Sequence, residues 1–380
     1  VTEVSAIVTN ADGSAEVREI TLQPLAPDQV RIRLAAAGLC HSDLSARDGV
    51  MRWPTPMVLG HEAAGIVSEV GTEVTSVRPG DRVATSWIQP CGSCHYCRRA
   101  QHYLCERSGP DAWERPYATL DGERLDAFLG VGAFAEQTTV LDRACIPLPD
   151  DTPMDIAALV SCGITTGWGA VVRAARVTPG STVAVIGCGG VGLAAIQTAK
   201  HAGASRVAAV DLHEDRLDMA TRLGADDVVA AADTDTVKAL RGMTGGDGFD
   251  VVIEAVGRST TIRQALKSTR RGGTTVIAGV GRADDLVEIS AMELYWMART
   301  IIGCVFGDVE PARDIPRVLE HALQGHIDVR TMITDEVTLP EIPEALRRLE
   351  RGEGLRTVVR FPGWEDLERR LRARDLPLHD

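Results

Sequence analysis

The stretch "VAVIGCGGVG", residues 183–192, limits the fold more than any other. It is an apolar run that breaks into G-x-G-x-x-G at Gly187, Gly189 and Gly192, with Gly190 and Val191 in the same turn. A helical stretch, "VGLAAIQTAKHAG" (191–203), follows, and a second apolar run, "RVAAVD" (206–211), ends on Asp211. Strand, glycine turn, helix, strand and acid in that order suit a dinucleotide. The glycines let the backbone approach a pyrophosphate at a helix N-terminus, and the acid accepts ribose hydroxyls. The runs "DVVIEAVG" (250–257) and "TTVIAGV" (274–280) continue the alternation. A doubly wound parallel sheet with crossover helices is therefore expected from about residue 165.

Residues 1–160 lack that rhythm. They read as short strands between Gly and Pro turns, as in "VRIRLAAAG" (30–38), "AAGIVSEVG" (63–71) and "DRVATSWI" (81–88), with "VRPGDRV" (77–83) as a turn signal. A chain of 380 residues has room for two domains with their own cores. The expected partition is a β-rich domain over 1–163, a Rossmann domain over 164–306, and a return of 307–380 to the first domain. A net charge of -13 argues against a nucleic-acid partner. No run of 18 apolar residues predicts a membrane span. The N-terminal "VTEVSAIVTN" has no basic and apolar leader pattern, so a reducing, cytoplasmic setting is expected.

In that setting the nine cysteines point to metal rather than disulfides. Cys91, Cys94, Cys97 and Cys105 lie in "CGSCHYCRRAQHYLC" with spacing C-x2-C-x2-C-x7-C. Four thiolates close a tetrahedral shell around Zn²⁺, which makes a structural site. Arg98, Arg99 and Arg107 are placed to offset the excess negative charge, and His95 and His102 are expected at the surface. Cys145, Cys188 and Cys304 fit no ligand pattern and read as small buried hydrophobes. A second set, Cys40 in "GLCHSD", His61 in "GHEAAG" and Cys162 in "SCGITTGWG", offers two thiols and an imidazole with one coordination position open. An open position is what a catalytic zinc keeps.

With "GHEAAGIVSEVG" (60–71), both cysteine sets in order and "GLRTVVRF" (354–361), the chain resembles the zinc-dependent medium-chain alcohol dehydrogenases, and within them the liver-type and class III branch. The resemblance runs from about residue 5 to Phe361. It implies a GroES-like catalytic domain joined to a Rossmann domain, two Zn²⁺ per chain, NAD as cofactor, and hydride transfer between a primary alcohol or aldehyde and the nicotinamide. Carried onto this sequence, Asp43 holds the free nitrogen of His61, Glu62 lies behind the metal, and Ser42 takes the proton of the alcohol. His41 and Arg356 face the pyrophosphate, Thr166 packs behind the nicotinamide, and Arg216 lies near the adenosine. Asp211 favours NAD, because its charge repels a 2′-phosphate. Met51, Trp87, Phe134, Val280 and Ser42 line the inner pocket, where no cationic residue would receive a carboxylate substrate.

Three features depart from the family or extend it. Ser45 stands where many relatives carry the histidine that ends the proton relay. Gly109 stands where glutathione-dependent members carry an arginine, which leaves a thiol-adduct formaldehyde dehydrogenase using another thiol as the alternative. A non-catalytic zinc and nucleotide-binding protein is the remaining alternative, and the open metal set speaks against it. The tail 362–380 is extra, and Trp364, Leu367 and Leu371 predict a helix docked on its own subunit. The strand near "IIGCVFG" (301–307) and the long stretch 108–130 imply a homodimer.

Overall fold

The strands of the first 150 residues form two sheets in a computed structural model that describes residues 2–108 and 117–374. Gly109 and the following part of the 108–130 stretch up to residue 116 lie outside the described residues, as do 375–380. One sheet closes as a barrel from Thr2–Thr9, Ala15–Leu22, Ala118–Leu120, Glu123–Ala127 and Met57–Val58. The other has seven strands. Gln29–Gly38 pairs with Glu62–Val70, Gln137–Leu141 and the late strand Arg356–Arg360. Alternation along these strands sends Ile32, Leu34, Val67 and Val359 into one core, which Ile342, Leu346 and Leu349 of helix Ile342–Glu350 cover.

The second unit holds six parallel strands in the order Asp227–Ala230, Arg206–Asp211, Thr182–Ile186, Phe249–Glu254, Thr269–Ile277, Thr300–Gly303. In chain order this is 3-2-1-4-5-6, the dinucleotide-binding topology. The strand Thr182–Ile186 is buried at Val183 to Ile186 because helices pack on both faces of a parallel sheet. Its C-terminal end lies where the strand order reverses, and the glycine turn follows there.

Contacts group the chain up to Cys162, Glu310–Leu319 and the chain from Ile333 on as one unit, with Gly163–Val309 and Glu320–Met332 as the other. The 320–332 segment thus packs with the six-stranded sheet rather than with the late return. The stretch Met154–Ala174 is long and apolar enough to cross a membrane, but 94% of its most apolar window is buried inside the protein. It is a core helix, with Asp155 and Arg173 near its two ends.

The tail forms the helix Trp364–Arg374 on its own unit, as its periodicity predicts. Polar contacts anchor it as much as apolar ones. Glu368 accepts two bonds from the Arg82 guanidinium, at 2.7 and 2.9 Å, and that guanidinium lies 5.4 Å from the Trp364 ring centroid. Arg372 reaches Asp150 at 2.7 Å, and Leu371 lies against Gly80. The hydrophobic period does not reveal that Glu368 is buried, because its partner is 286 residues away in sequence.

Candidate active site

Strand register assembles the site around Gly38. Gly38 pairs with Glu62 on one side and with Val358 on the other. Cys40, two residues after Gly38, therefore comes beside His61 and Glu62, while Arg356 approaches from the third strand. A β-carbon on Gly38 would meet Glu62 Oε2 at 2.1 Å and Arg356 Nη2 at 3.1 Å. The absent side chain is the space in which Arg356 Nη2 donates to Glu62 Oε2, a pair buried on both sides. Burial opposes the charge on Arg356, but Glu62 and the Cys40 and Cys162 thiols raise its pKa above the ordinary value. Arg356, expected at the pyrophosphate, is in this structure also the counter-charge of Glu62.

Asp43 does three jobs from a fully buried position. It is the third residue of helix His41–Arg47, and its Oδ2 accepts from the backbone N–H of Cys40 at 3.0 Å, closing a capping box. Its Oδ1 accepts from Gly60 N at 3.0 Å and contacts His61 Nδ1 at 3.1 Å. Gly60 has φ of +89°, and a side chain there would strike Phe134. Helix start, turn and imidazole are locked together, so Nε2 of His61 has a fixed direction.

That nitrogen is buried and makes no hydrogen bond of good geometry, and the ligand atoms of Cys40, His61 and Glu62 lie within 4.8 Å of one another. The Cys162 thiol hydrogen-bonds that of Cys40. That bond lowers the Cys40 pKa well below a free thiol's; burial opposes this, and His61 and Arg356 support it. Cys162 is correspondingly raised, first by Cys40 and then by burial. Burial works against charge on His61, but the Asp43 charge and hydrogen bond raise its pKa well above normal. The same negative charge makes Nε2 a better donor to a cation. A thiolate, a second thiol and an oriented imidazole with an unsatisfied buried nitrogen fit a zinc ion. Cys162 reaches the site from a π-helical turn, Val160–Ile164, a local widening that recurs at functional positions.

Cys91, Cys94, Cys97 and Cys105 form a separate lobe. Their sulfurs lie within 4.8 Å of one another, with Cys91 and Cys97 at 4.0 Å. That excludes a disulfide bond between those two. It is close to the roughly 3.8 Å edge of a tetrahedron with Zn–S bonds of about 2.3 Å. Backbone N–H groups of Cys94, Cys97 and Cys91 point at Cys91, Cys94 and Cys105 sulfurs at 3.3–3.4 Å. Burial opposes thiolate formation at Cys91, yet these and the Ser93 contacts bring it down to about 6. This four-cysteine cluster fits a structural zinc. Arg98 donates to the Ser93 carbonyl rather than to a sulfur. His95 is exposed, whereas His102 is half-buried and lies 3.7 Å from Glu310. Cys145, Cys188 and Cys304 are buried.

In the nucleotide-binding unit the three motif glycines have different reasons. Gly187 takes φ of +96°. A β-carbon on Gly192 would lie 1.8 Å from Gly187 O, so the helix Gly190–His201 packs directly on the turn. A β-carbon on Gly189 would meet nothing within 4 Å, which leaves open space at the helix N-terminus with Gly190 and Val191 half-exposed beside it. Asp211, at the end of the second strand, accepts from Cys188 N at 2.7 Å and His213 N at 3.0 Å. These bonds tie the acid to the glycine turn. Arg216 is half-buried near Cys188. Across the switch point the buried Glu254 accepts from Val256 N, Gly257 N and Thr261 Oγ1. It orders the next strand's exit, and no motif in the sequence marks it.

The remaining expected residues are dispersed. Ser42 and Ser45 are half-buried and His41 is exposed on helix His41–Arg47. Met51 and Trp87 pack half-buried against the main core, while Phe134 is enclosed within it. Thr166 is buried and Val280 is exposed, both in the nucleotide-binding unit.

Residues 26–150 match the alcohol dehydrogenase GroES-like domain, and residues 190–324 match the zinc-binding dehydrogenase domain. The chain is 31% identical to an alcohol dehydrogenase zinc-binding domain protein from Burkholderia ambifaria over 95% of its length and 100% of that chain, with a TM-score of 0.90. It is 28% identical to the benzyl alcohol dehydrogenase of Acinetobacter calcoaceticus, covering 95% and 100%, with a TM-score of 0.88. A zinc-binding dehydrogenase from Sinorhizobium meliloti 1021, solved with NADP bound, is 26% identical over 95% and 100%, with a TM-score of 0.80.

Proposed function

This chain belongs to the zinc-binding dehydrogenase family, and from that premise we propose that it oxidises primary alcohols with an apolar body, or reduces the matching aldehydes, using NAD(H). The observation that carries the reaction is the buried, unsatisfied Nε2 of His61, held by Asp43 beside Cys40 and the Cys40–Cys162 thiol pair. When bound, the metal supplies a Lewis acid toward the substrate oxygen, and the nicotinamide takes or gives the hydride. The protein's part is preorganisation. Asp43 keeps His61 in one tautomer and orientation, and Arg356 neutralises Glu62 behind the ligands. Ser42, the second residue of the helix that Cys40 caps, is the group proposed to receive the substrate proton. With Ser45 in place of the relay histidine, the proton would pass on through the cofactor ribose and water, or through another group.

NAD rather than NADP is favoured by Asp211, whose carboxylate is fixed at the end of the second strand. Kinship does not choose here, since the Sinorhizobium meliloti relative was solved with NADP. The apolar primary substrate is supported by Trp87 and Met51 at the edge of the core, and by the name of the Acinetobacter calcoaceticus relative. The test is a screen of primary and secondary alcohols and aldehydes with each cofactor, followed as nicotinamide absorbance. NADP use equal to NAD use would refute the role of Asp211. Activity confined to formaldehyde plus a small thiol would favour the thiol-adduct reading. Trp87→Ala is expected to raise relative activity on secondary alcohols, and an unchanged ratio refutes the pocket.

A homodimer is part of the proposal. Among the described residues, the strand Thr300–Gly303 pairs on one side only, and the neighbouring helix Ala291–Met297 exposes Met292, Tyr295 and Trp296. An open strand edge beside exposed apolar side chains is a pairing surface for a second copy. Light scattering that gives a stable monomer or tetramer would refute it.

A further inference from the structure

Three histidines of the nucleotide-binding unit meet far apart in sequence. His201 ends the helix Gly190–His201, His321 lies near the end of the helix Pro311–Leu323, and His326 follows in the next turn. One ring nitrogen from each lies within 4.8 Å of the others. His321 Nδ1 and His326 Nδ1 are 3.3 Å apart. Two nitrogens bound to one zinc at about 2.0–2.1 Å in tetrahedral geometry sit roughly 3.3–3.4 Å apart. We propose that His201, His321 and His326 form a further metal site, a three-imidazole site for Zn²⁺ on the surface of the nucleotide-binding unit.

The surroundings suit a cation. The site sits at the C-terminal ends of two helices, where the helix dipoles give a negative field. The His321 carbonyl accepts from His326 N at 2.9 Å and Ile327 N at 3.3 Å, so the two rings are held on one tight turn. The adjacent Lys200 is engaged by Asp226 at 2.9 and 3.1 Å, and Glu320 lies near His321. His201 and His326 are exposed and His321 is half-exposed, so an ion can enter and one position stays open to water.

An ion there would tie the end of the helix Gly190–His201 to the 320–332 segment. Gln197 already does part of this, accepting from Asp328 N at 2.6 Å and donating to Met332 Sδ at 3.6 Å. The bound metal therefore stabilises this unit and takes no part in the proposed hydride transfer.

The test uses the untagged full chain, with zinc per chain measured against free zinc by equilibrium dialysis for wild type, His321→Ala and His326→Ala. Wild type is expected to take up one more zinc than either variant, and to melt at a higher temperature as zinc is added. Loss of one imidazole is expected to weaken this site by more than the roughly 10–100-fold that loss of an outer-shell partner costs. Should His321→Ala fail to fold, the exposed His326→Gln makes the same comparison. Equal zinc uptake and equal melting shifts in wild type and the His326 variants would overturn the site. So would discrimination by nickel but not by zinc.

Discussion

Gly38→Ala tests the packing on which the site is built. The added methyl would lie 2.1 Å from Glu62 Oε2, 2.7 Å from Leu159 Cδ2 and 3.1 Å from Arg356 Nη2. Glu62 is fully buried and Arg356 nearly so, which leaves neither side chain solvent to retreat into. Overpacking alone costs about 1–3 kcal/mol. Parting a buried pair so that one charge loses its partner costs about 3–5 kcal/mol. A loss of roughly 2–5 kcal/mol lies between partial accommodation and full separation. At about 2–4 °C per kcal/mol for a unit of 150–250 residues, the first melting transition should fall by on the order of 10 °C. The assay is thermal unfolding with zinc content measured in parallel, because displacement of Glu62 also disturbs the space behind Cys40 and His61. Gly38→Ala in a Glu62→Ala background should cost less than in wild type, since the closest contact is gone. An unchanged melting temperature, or strictly additive penalties, would refute the reasoning.

Elemental analysis should find metal in both cysteine sets. Cys94→Ser should lower folding yield, because a closed site contributes folding energy, while Cys40→Ser should fold and lose activity; the reverse pattern would exchange the two assignments. Asp211→Gly should narrow the preference for NAD, and it should also destabilise the glycine turn by about 1–3 kcal/mol, because the buried Cys188 N–H loses its acceptor. A variant as stable as wild type would contradict that bond. Glu368→Gln should lower stability by roughly 1.5–3 kcal/mol by removing a charge-assisted fork to Arg82. Asp150→Asn, on the exposed end of the same helix contact, should change nothing measurable. Chemical denaturation curves of both variants decide this.

Local signals carried much of this protein into the sequence. Strand, glycine turn, helix and terminal acid occupy one short stretch, so Gly187, Gly189, Gly192 and Asp211 were legible without a fold. The structure adds what separates the glycines: Gly192 is forced by contact with Gly187 O, while Gly189 leaves space open. The four-cysteine lobe was legible for the same reason, since all four ligands lie on one loop. The order of strands was not. Which strand neighbours which depends on crossovers that periodicity does not encode, and the two edges of Gly38 are filled from residues 62 and 358. Hence Arg356 was readable as a pyrophosphate partner but not as the partner of Glu62, because that bond spans 294 residues. Glu368 and the His201, His321 and His326 cluster were invisible for the same cause. A buried charge or a converging nitrogen is defined by what folds against it, and a linear pattern records a residue's own periodicity but not its distant partner.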